Sequence, residues 1–303
     1  MTQPIPQSRK SRICRLTDIP LEIRRELSSG SVETASWTEW MATDMSELAR
    51  NVAASVESAA LKNALLRAAD QSRGLTVLAR LKSFGRELAL VCTGWDDPVL
   101  DRLRGHHSDV VRHWAAYAVN DETFRLSLPK RLAATLPFAA DKHMSVRECA
   151  WMAFRPHLTA SLANGLKLLE PVSLSKDANL RRFAIEVTRP RSVWGAHIAA
   201  LKEEPSMAVA LLDNVYQDSS QYVRLSAGNW LNDASKTRPD WVRAVCSRWS
   251  KKASKHTEAI IRRGLRTLNR QDDHWRHGAA SRISTGVRSN DVPSGLPRRR
   301  APC

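Results

Sequence analysis

The hexapeptide NLRRFA at residues 179–184 indicates the architecture of this chain, because close copies of it recur along the sequence. Each copy places an apolar residue before an arginine, and the first four have an alanine three residues after that arginine. The copies are DVVRHWA at 109–115, SVRECA at 145–150, NLRRFA at 179–184, YVRLSA at 222–227 and the weaker IRRGL at 261–265. An alanine one turn after the arginine lets a neighbouring helix pack closely, with the arginine directed to the other face.

The spacing of the copies predicts a repeat protein. The successive motif arginines stand 35, 34, 43 and 38 residues apart. Periods of this length are typical of α-solenoids built from paired helices of the HEAT type. Such a stack would present one arginine per repeat along a basic concave face, which suits a row of DNA phosphates. The arginines concerned are Arg112, Arg147, Arg181, Arg224 and Arg262.

The composition fits an all-α protein of 303 residues. Glycine is sparse, and no window shows the sustained alternation of a strand. No apolar run is long enough to span a membrane and no signal peptide is evident, so we expect a cytoplasmic protein. The five scattered cysteines indicate reduced thiols. Histidines and cysteines do not cluster with metal-ligand spacing, so neither a metal nor another cofactor is expected.

The net charge of +16 is spread unevenly along the chain. Residues 1–25 carry +4 and residues 276–303 carry +5, which leaves a basic body. Both ends are predicted to be flexible arms that bind nucleic acid, although basic ends can also serve solubility alone. The predicted order is a basic arm over 1–15, an N-terminal helical bundle over 16–95, HEAT-like repeats over 96–272 and a basic tail over 273–303.

The N-terminal segment shows several helix signals. Ser36 and Glu39 predict a capping box, and the two tryptophans at 37 and 40 are expected in the core. Further helices are predicted over about 45–69 and 75–91. The pair Asp96-Asp97 before Pro98 predicts a helix start rather than a metal site.

The stretch EVTRPRSVW at 186–194 combines a carboxylate, cations and an indole. Glu186 lies four residues after Arg182, one turn along the same helical face. Pro190 ends the helix, because it lacks a backbone N–H and restricts the residue before it. The side chains predicted to project from the helix exit are Arg189, Arg191 and Trp194. This arrangement suits an anionic polymer that carries a cationic or aromatic group, but a salt-bridged helix end with a core tryptophan remains the alternative.

Three stretches resemble the DNA alkylation repair glycosylases built from HEAT-like repeats. They are residues 179–194, YVRLSAGNWLNDASK at 222–236 and IIRRGLRTL at 260–268. ELSSGSVETASWTEWMATDM at 26–45 is similar to the N-terminal helices of the AlkC branch rather than the shorter AlkD branch. The resemblance covers about residues 16–270. It implies a monofunctional glycosylase that hydrolyses the N-glycosidic bond of cationic alkylated bases, such as 3-methyladenine, in double-stranded DNA. We expect a monomer, associated with the nucleoid through DNA.

The resemblance also implies roles for individual residues. Glu186 matches the catalytic glutamate and Trp194 matches the aromatic residue of the cleft. A carboxylate can stabilise an oxocarbenium-like sugar and position a water, and an indole attracts a cationic base. The AlkC branch has a second glutamate where Trp151 stands here. Glu148, one turn earlier, could replace it while Trp151 lines the cleft; alternatively Glu148 pairs with a cation and Trp151 packs between repeats.

The remaining candidates are DNA contacts. The predicted DNA-binding side chains are Arg112, Arg147, Arg181, Arg182, Arg189, Arg191, Arg224, Lys236, Arg262 and Arg266. Asp233 is a candidate cleft wall. No lysine sits in an apolar run that suits Schiff-base formation, so no strand-cleaving lyase activity is expected.

Two other function classes remain open at this point. The tryptophan in place of the second glutamate and the basic ends favour a non-catalytic HEAT-repeat binder of damaged or branched DNA, whereas Glu186 with Trp194 favours the enzyme. A scaffold for protein partners would normally have fewer arginines along its concave face.

Overall fold

A computed structural model gives the structure of residues 15–270. Within this range every regular element is helical and no strand occurs, as the sequence predicts. The predicted arm at 1–15, apart from Arg15, and the predicted tail at 273–303 lie outside the described residues. No helix within residues 15–270 has the length and apolar character needed to cross a membrane.

Within residues 15–270, a short 3-10 helix at Leu16–Asp18 and five α-helices precede the repeats. The α-helices are α1 (Leu21–Ser29), α2 (Trp37–Ala42), α3 (Met45–Ser55), α4 (Ala59–Gln71) and α5 (Val77–Ala89). The prediction of one helix over about 45–69 is wrong, because residues 56–58 are not helical and separate two helices. Ser58 caps α4 by accepting a hydrogen bond from the backbone N–H of Leu61. A serine side chain competes for backbone hydrogen bonds in this way, and it therefore favours the start of a helix over its interior.

The predicted helix starts at Ser36 and Asp97 are confirmed. The Ser36 hydroxyl accepts a hydrogen bond from the backbone N–H of Glu39. The second bond of the predicted capping box is displaced by one residue, since Glu39 Oε2 accepts from the N–H of Ala35 at 2.7 Å. Asp97 Oδ1 accepts from the N–H of Val99 at 2.8 Å, so this carboxylate caps the first repeat helix.

The repeats consist of two layers of helices. The first layer holds the motif helices α7 (Asp109–Ala118), α9 (Met144–Ala160), α11 (Ala178–Val187), α14 (Gln221–Ala234) and α16 (Lys255–Gly264). Each motif helix packs against the next one along the chain and against a helix of the second layer. The second layer holds α6 (Pro98–Arg104), α8 (Leu128–Ala139), α10 (Leu162–Ser173), α12 (Ala199–Glu203), α13 (Val209–Val215) and α15 (Pro239–Ser250). This arrangement confirms the predicted solenoid.

Small residues allow the motif helices to pack closely. The alanine that follows each of the first four motif arginines is fully buried. These residues are Ala115, Ala150, Ala184 and Ala227. Between α14 and α16 the contact is closer still: a Cβ atom at Gly228 would lie 2.8 Å from the Cβ of Arg263, and one at Gly264 would lie 2.9 Å from the Cβ of Leu231. A larger residue at either position would therefore force the two helices apart, and glycine permits their close approach.

The motif arginines tie down the loop that precedes their own helix. In each of the first four copies, Nη1 donates to two backbone carbonyls, six and five residues earlier. Arg112 binds His106 and His107, Arg147 binds Asp141 and Lys142, Arg181 binds Ser175 and Lys176, and Arg224 binds Asp218 and Ser219. The repeated arginine therefore has a structural role that the sequence analysis did not foresee.

Two of these arginines also bind carboxylates, and this corrects the predicted row of phosphate contacts. Arg112 is 3 % exposed and pairs with Glu33 and Asp141, at 2.6 and 3.0 Å. Arg181 Nε lies 2.6 Å from Asp218 in the loop of the next repeat. Arg112 cannot reach a phosphate without leaving buried partners, and Arg181 is largely occupied. Arg147 and Arg224 form no ion pair within residues 15–270.

Candidate active site

A cavity of about 340 Å³ opens on the face of α9, α11 and α14. It brings together most of the residues that the sequence singled out around the exit of α11. The predicted residues that line it are Glu148, Trp151, Arg182, Glu186, Arg189, Arg191 and Trp194. The end of α11 at Val187, three residues before Pro190, confirms the predicted helix exit.

Glu186 is the most enclosed carboxylate of this cavity. It is 6 % exposed and lies one residue before the end of α11. Its Oε1 accepts a 2.6 Å hydrogen bond from Arg189 Nη1, and its Oε2 accepts a 2.6 Å hydrogen bond from the hydroxyl of Ser226. Arg182 Nη2 lies 3.4 Å from the same Oε2. Both oxygens are therefore held in fixed positions.

This environment keeps Glu186 ionised. Burial alone would raise the pKa of Glu186, but the charges of Arg182 and Arg189 and the hydrogen bond from Ser226 outweigh burial and hold the pKa below its usual value. A carboxyl group with a lowered pKa is a poor proton donor at neutral pH. It is well suited to stabilise a positive charge that develops beside it.

Glu148 and Trp151 are joined to Glu186 through Arg182. Arg182 Nη1 lies 2.6 Å from Glu148 Oε1, while the indole N–H of Trp151 donates to Glu148 Oε2 at 2.7 Å. Burial would lower the pKa of Arg182, but the charges of Glu186 and Glu148 raise it above its usual value. Both predicted alternatives hold in part: Glu148 pairs with a cation, and Trp151 is 3 % exposed yet lines the cavity.

Arg189 connects this cavity to the next repeat. Its Nε and Nη2 each lie 2.8 Å from Asp233 Oδ2, while its Nη1 reaches Glu186. Asp233 is buried behind Arg189 and does not line the cavity, so its prediction as a cleft wall is wrong. The helical spacing placed it on the correct helix but could not show that a cation stands in front of it. Lys236 Nζ lies 3.7 Å from Asp233 Oδ1, beside this network.

The side chain of Arg155 holds the loop that carries Trp194 through hydrogen bonds to the backbone. This buried guanidinium donates to the backbone carbonyls of Val187, Arg189 and Ala196, at 2.7, 2.7 and 3.0 Å. Burial and the neighbouring charge of Arg189 lower the pKa of Arg155 to about 10. Three charge-assisted hydrogen bonds therefore span the loop from the end of α11 to residue 196.

Two aromatic residues at the cavity were missed by sequence reasoning. Trp37, predicted to lie in the core with Trp40, is only partly buried and stacks on Trp194 with ring centroids 5.5 Å apart and an interplanar angle of 21°. Tyr222 lies beneath two guanidinium groups, with Arg182 Cζ 4.8 Å and Arg147 Cζ 5.1 Å from its ring centroid. For Tyr222, the sequence did offer a signal: an aromatic residue stands two positions before the motif arginine, where the other copies have small, aliphatic or amide side chains.

A second cavity, of about 390 Å³, adjoins the first at Leu225 and Arg263. Of residues 15–270, four arginines line it and no carboxylate does. They are Arg224, Arg262, Arg263 and Arg266. Asn229 Oδ1 accepts hydrogen bonds from Arg263 Nε at 2.8 Å and Arg266 Nη1 at 3.1 Å. Burial and the charge of Arg263 lower the pKa of Arg266, which indicates a crowded cationic cluster suited to an anion.

Comparisons with known proteins bear on the fold. No family model matches the chain. The alkylpurine DNA glycosylase AlkC of Pseudomonas fluorescens, solved bound to DNA containing an abasic site analog, is similar in structure with a TM-score of 0.62 and 24 % identity, over 85 % of this chain and 65 % of AlkC. AlkD2 from Streptococcus mutans is more distant, with a TM-score of 0.45 and 22 % identity over 73 % of this chain and 95 % of AlkD2. YhaZ of Bacillus subtilis (strain 168) is 40 % identical over 121 residues.

The similarity to AlkC bears on the architecture of the chain. The match to YhaZ covers 40 % of this chain and 34 % of YhaZ, so the chain spans about a third of that relative. The similarity to AlkC shows that the described residues adopt its HEAT-like repeat fold, as the resemblance in the sequence predicted.

Proposed function

We propose that this chain is a DNA repair glycosylase that hydrolyses the N-glycosidic bond of cationic alkylated bases in duplex DNA. The observation that carries the proposal is the buried carboxylate of Glu186, held by two arginines and a serine in a cavity that the indole of Trp194 also lines. The AlkC structure with DNA supports DNA as the partner of this fold. We also propose that the protein acts as a monomer in the cytoplasm and has no lyase activity.

The chemistry of such bases fits the site. Alkylation makes the base cationic, so the C1′–N bond can break with its electron pair leaving on a neutral base. The sugar then becomes oxocarbenium-like, and the negative charge of Glu186 stabilises it. Water adds to C1′ and loses its proton to solvent or to a carboxylate. The indole faces contribute cation–π attraction for the base, on the order of 0.5–2 kcal/mol.

The arginine-lined cavity beside the site supplies the DNA contact. Arg224, Arg262 and Arg266 were predicted to bind DNA, and together with Arg263 they line the cavity that adjoins the one containing Glu186; no carboxylate of the described residues lines it. Phosphate binding by such a cluster releases counterions and gives affinity without sequence preference. The backbone would therefore be held beside the cavity where the base is handled.

Base release from alkylated DNA tests the proposal. The wild-type chain is expected to release 3-methyladenine from methylated duplex DNA, and Glu186→Gln to lose about 100- to 1000-fold in single-turnover rate with nearly unchanged affinity for undamaged DNA. Glu170→Gln is the matched control, because Glu170 is an exposed glutamate on α10 outside both cavities. Equal release by wild type and Glu186→Gln would remove Glu186 from the reaction.

A second candidate is a non-catalytic binder of damaged or branched DNA. It is favoured by the closed network in which Glu148 and Glu186 share Arg182, with a tryptophan where the AlkC branch is expected to have a second glutamate. Such a protein would bind an abasic or branched duplex more tightly than an intact one and would release no base.

A further inference from the structure

We infer that Trp37 is a positioning and specificity-determining residue of the site. It holds the ring of Trp194, and it closes the cavity that contains Glu186, called the central cavity below, toward the N-terminal segment. This inference rests on the proposed handling of a cationic base or sugar in that cavity. It assigns part of the site to a helix that precedes the repeats. In sequence, Trp37 lies more than 140 residues before Glu186 and Trp194.

The first step is that Trp37 itself is rigidly held. Its ring meets that of Trp40 edge to face, with centroids 5.0 Å apart and planes at 89°. Trp40 is 1 % exposed, and its indole N–H donates to Nδ1 of the buried His113 at 2.9 Å. A chain of contacts therefore runs from the core of α7 to the ring of Trp37.

The backbone before Trp37 is anchored to the repeats as well. The N–H and the hydroxyl of Thr34 donate to the two carboxylate oxygens of the buried Asp109, at 2.9 and 2.7 Å. The carbonyl of Thr34 lies 2.8 Å from Nε2 of His143. Ser36 then caps α2. These bonds leave little freedom for the first turn of α2, where Trp37 stands.

The second step concerns Trp194. Its backbone N–H and that of Gly195 donate to the hydroxyl of Ser192, at 3.2 and 3.0 Å, so the loop turns tightly beneath the ring. Trp37 covers one face of the Trp194 ring at stacking distance. The opposite face is then the more open one for a cation, and its direction depends on the stack with Trp37.

The third step is the boundary of the cavity. A third cavity, of about 320 Å³, lies between the segment from Thr34 to Trp40 and the start of α9. It shares Trp37 and Met144 with the central cavity. A smaller side chain at position 37 would join the two spaces, so Trp37 limits the size of the group that the central cavity accepts.

Excision of two adducts of different size tests this inference. With Trp37→Ala we expect a loss of about 10- to 100-fold in single-turnover release of 3-methyladenine, because a misplaced ring no longer meets the cation. Release of the bulkier 3-benzyladenine should fall less or increase. Trp37→Phe should retain most of the wild-type preference. Met41→Ala, an exposed residue one turn further along α2, is the control.

A measurement without turnover separates this inference from the proposed function. The affinity for a duplex with a protonated pyrrolidine abasic analogue is compared with that for the neutral tetrahydrofuran analogue. We expect wild type and Trp37→Phe to prefer the cation and Trp37→Ala to lose the preference, even if no base is released. The inference is overturned if the wild-type protein does not prefer the cationic analogue, or if Trp37→Ala keeps the wild-type preferences for the cationic analogue and for the smaller adduct. It is also overturned if Trp37→Ala and Trp37→Phe lose thermal stability and affinity for undamaged DNA in parallel.

Discussion

Arg189 donates a 2.6 Å hydrogen bond to Glu186 across the last turn of α11. The same guanidinium holds the buried Asp233 of α14, so the charge of Glu186 is fixed by a cation that is itself fixed by the next repeat. The carboxylate of the candidate site therefore depends on the packing of two repeats rather than on one helix end.

Removal of Arg189 should shift the pH dependence of base release. The charge of Arg189 lowers the pKa of Glu186, so in Arg189→Ala that pKa rises and the carboxylate becomes protonated at a higher pH. The acid limb of the single-turnover rate should therefore move to higher pH. Arg73→Ala is the control, because Arg73 is an exposed arginine that pairs with Asp70 and lines neither cavity. An unmoved acid limb would show that the ionisation of Glu186 does not control the rate.

The arginines should separate into two groups in salt titrations of DNA binding. Replacing Arg224, Arg262 or Arg266 by alanine should lower the slope of log affinity against log salt by about one unit each, if each contacts one phosphate.

Arg181→Ala is the matched comparison. It should leave that salt slope unchanged and lower the thermal transition, because the 4 % exposed Asp218 side chain loses its partner, at a cost of about 3 kcal/mol. A fall in slope for Arg181→Ala equal to that of Arg224→Ala would mean that a motif arginine paired with a carboxylate contacts DNA as well.

The buried His113 should make the fold sensitive to mild acid. Its Nδ1 accepts the indole N–H of Trp40, so this imidazole is neutral, and burial lowers the pKa of His113 to about 3. Between about pH 6.5 and that value the unfolded chain binds a proton that the folded chain does not, so stability falls as pH falls, by about 1.4 kcal/mol per pH unit for this group.

Thermal unfolding between pH 7 and 4.5 measures this slope. His113→Asn should remove about one proton from the pH dependence, whereas His197→Gln, at an exposed position, should leave it unchanged. Identical slopes for wild type and His113→Asn would show that this histidine does not couple folding to protons.

Deletion of residues 276–303 should separate non-specific affinity from excision. This segment carries a net +5 and lies outside the described residues. Base release should survive, while affinity for undamaged DNA should fall most at low salt, because the binding of cationic side chains to phosphates acts through counterion release. A collapsed thermal transition in the truncated chain would instead assign the segment to the folded body.

The sequence was sufficient for the repeat architecture because the pattern that encodes it is local and periodic. The buried alanines stood at a fixed distance from the motif arginines, and Pro190 marked the exit of α11. The same locality misled the interpretation of Arg112. Its partners include carbonyls of its own loop and carboxylates of two distant segments, and neither is visible in a motif of seven residues.

The site was predictable where the repeat motifs, or the stretch that follows one of them, contribute to it. Glu186 and Trp194 come from a single stretch, and both line the cavity. Trp37 and Arg263 reach the same cavity from α2 and α16. Spacing along a helix could not distinguish Trp37 from its buried neighbour Trp40, because the ring on which Trp37 stacks lies on a loop of another repeat.

The glycine crossing of α14 and α16 has a consequence for how such a surface could diverge. A methyl group at Gly228 would push against the stem of Arg263, so the separation of the two helices sets how far apart the guanidinium groups stand. Uncharged substitutions at the helix crossing would therefore change the distance between the guanidinium groups. That distance determines how well the arginines match the spacing of successive phosphates. Variants that keep all four arginines would in this way differ in the shape of the nucleic acid that fits them.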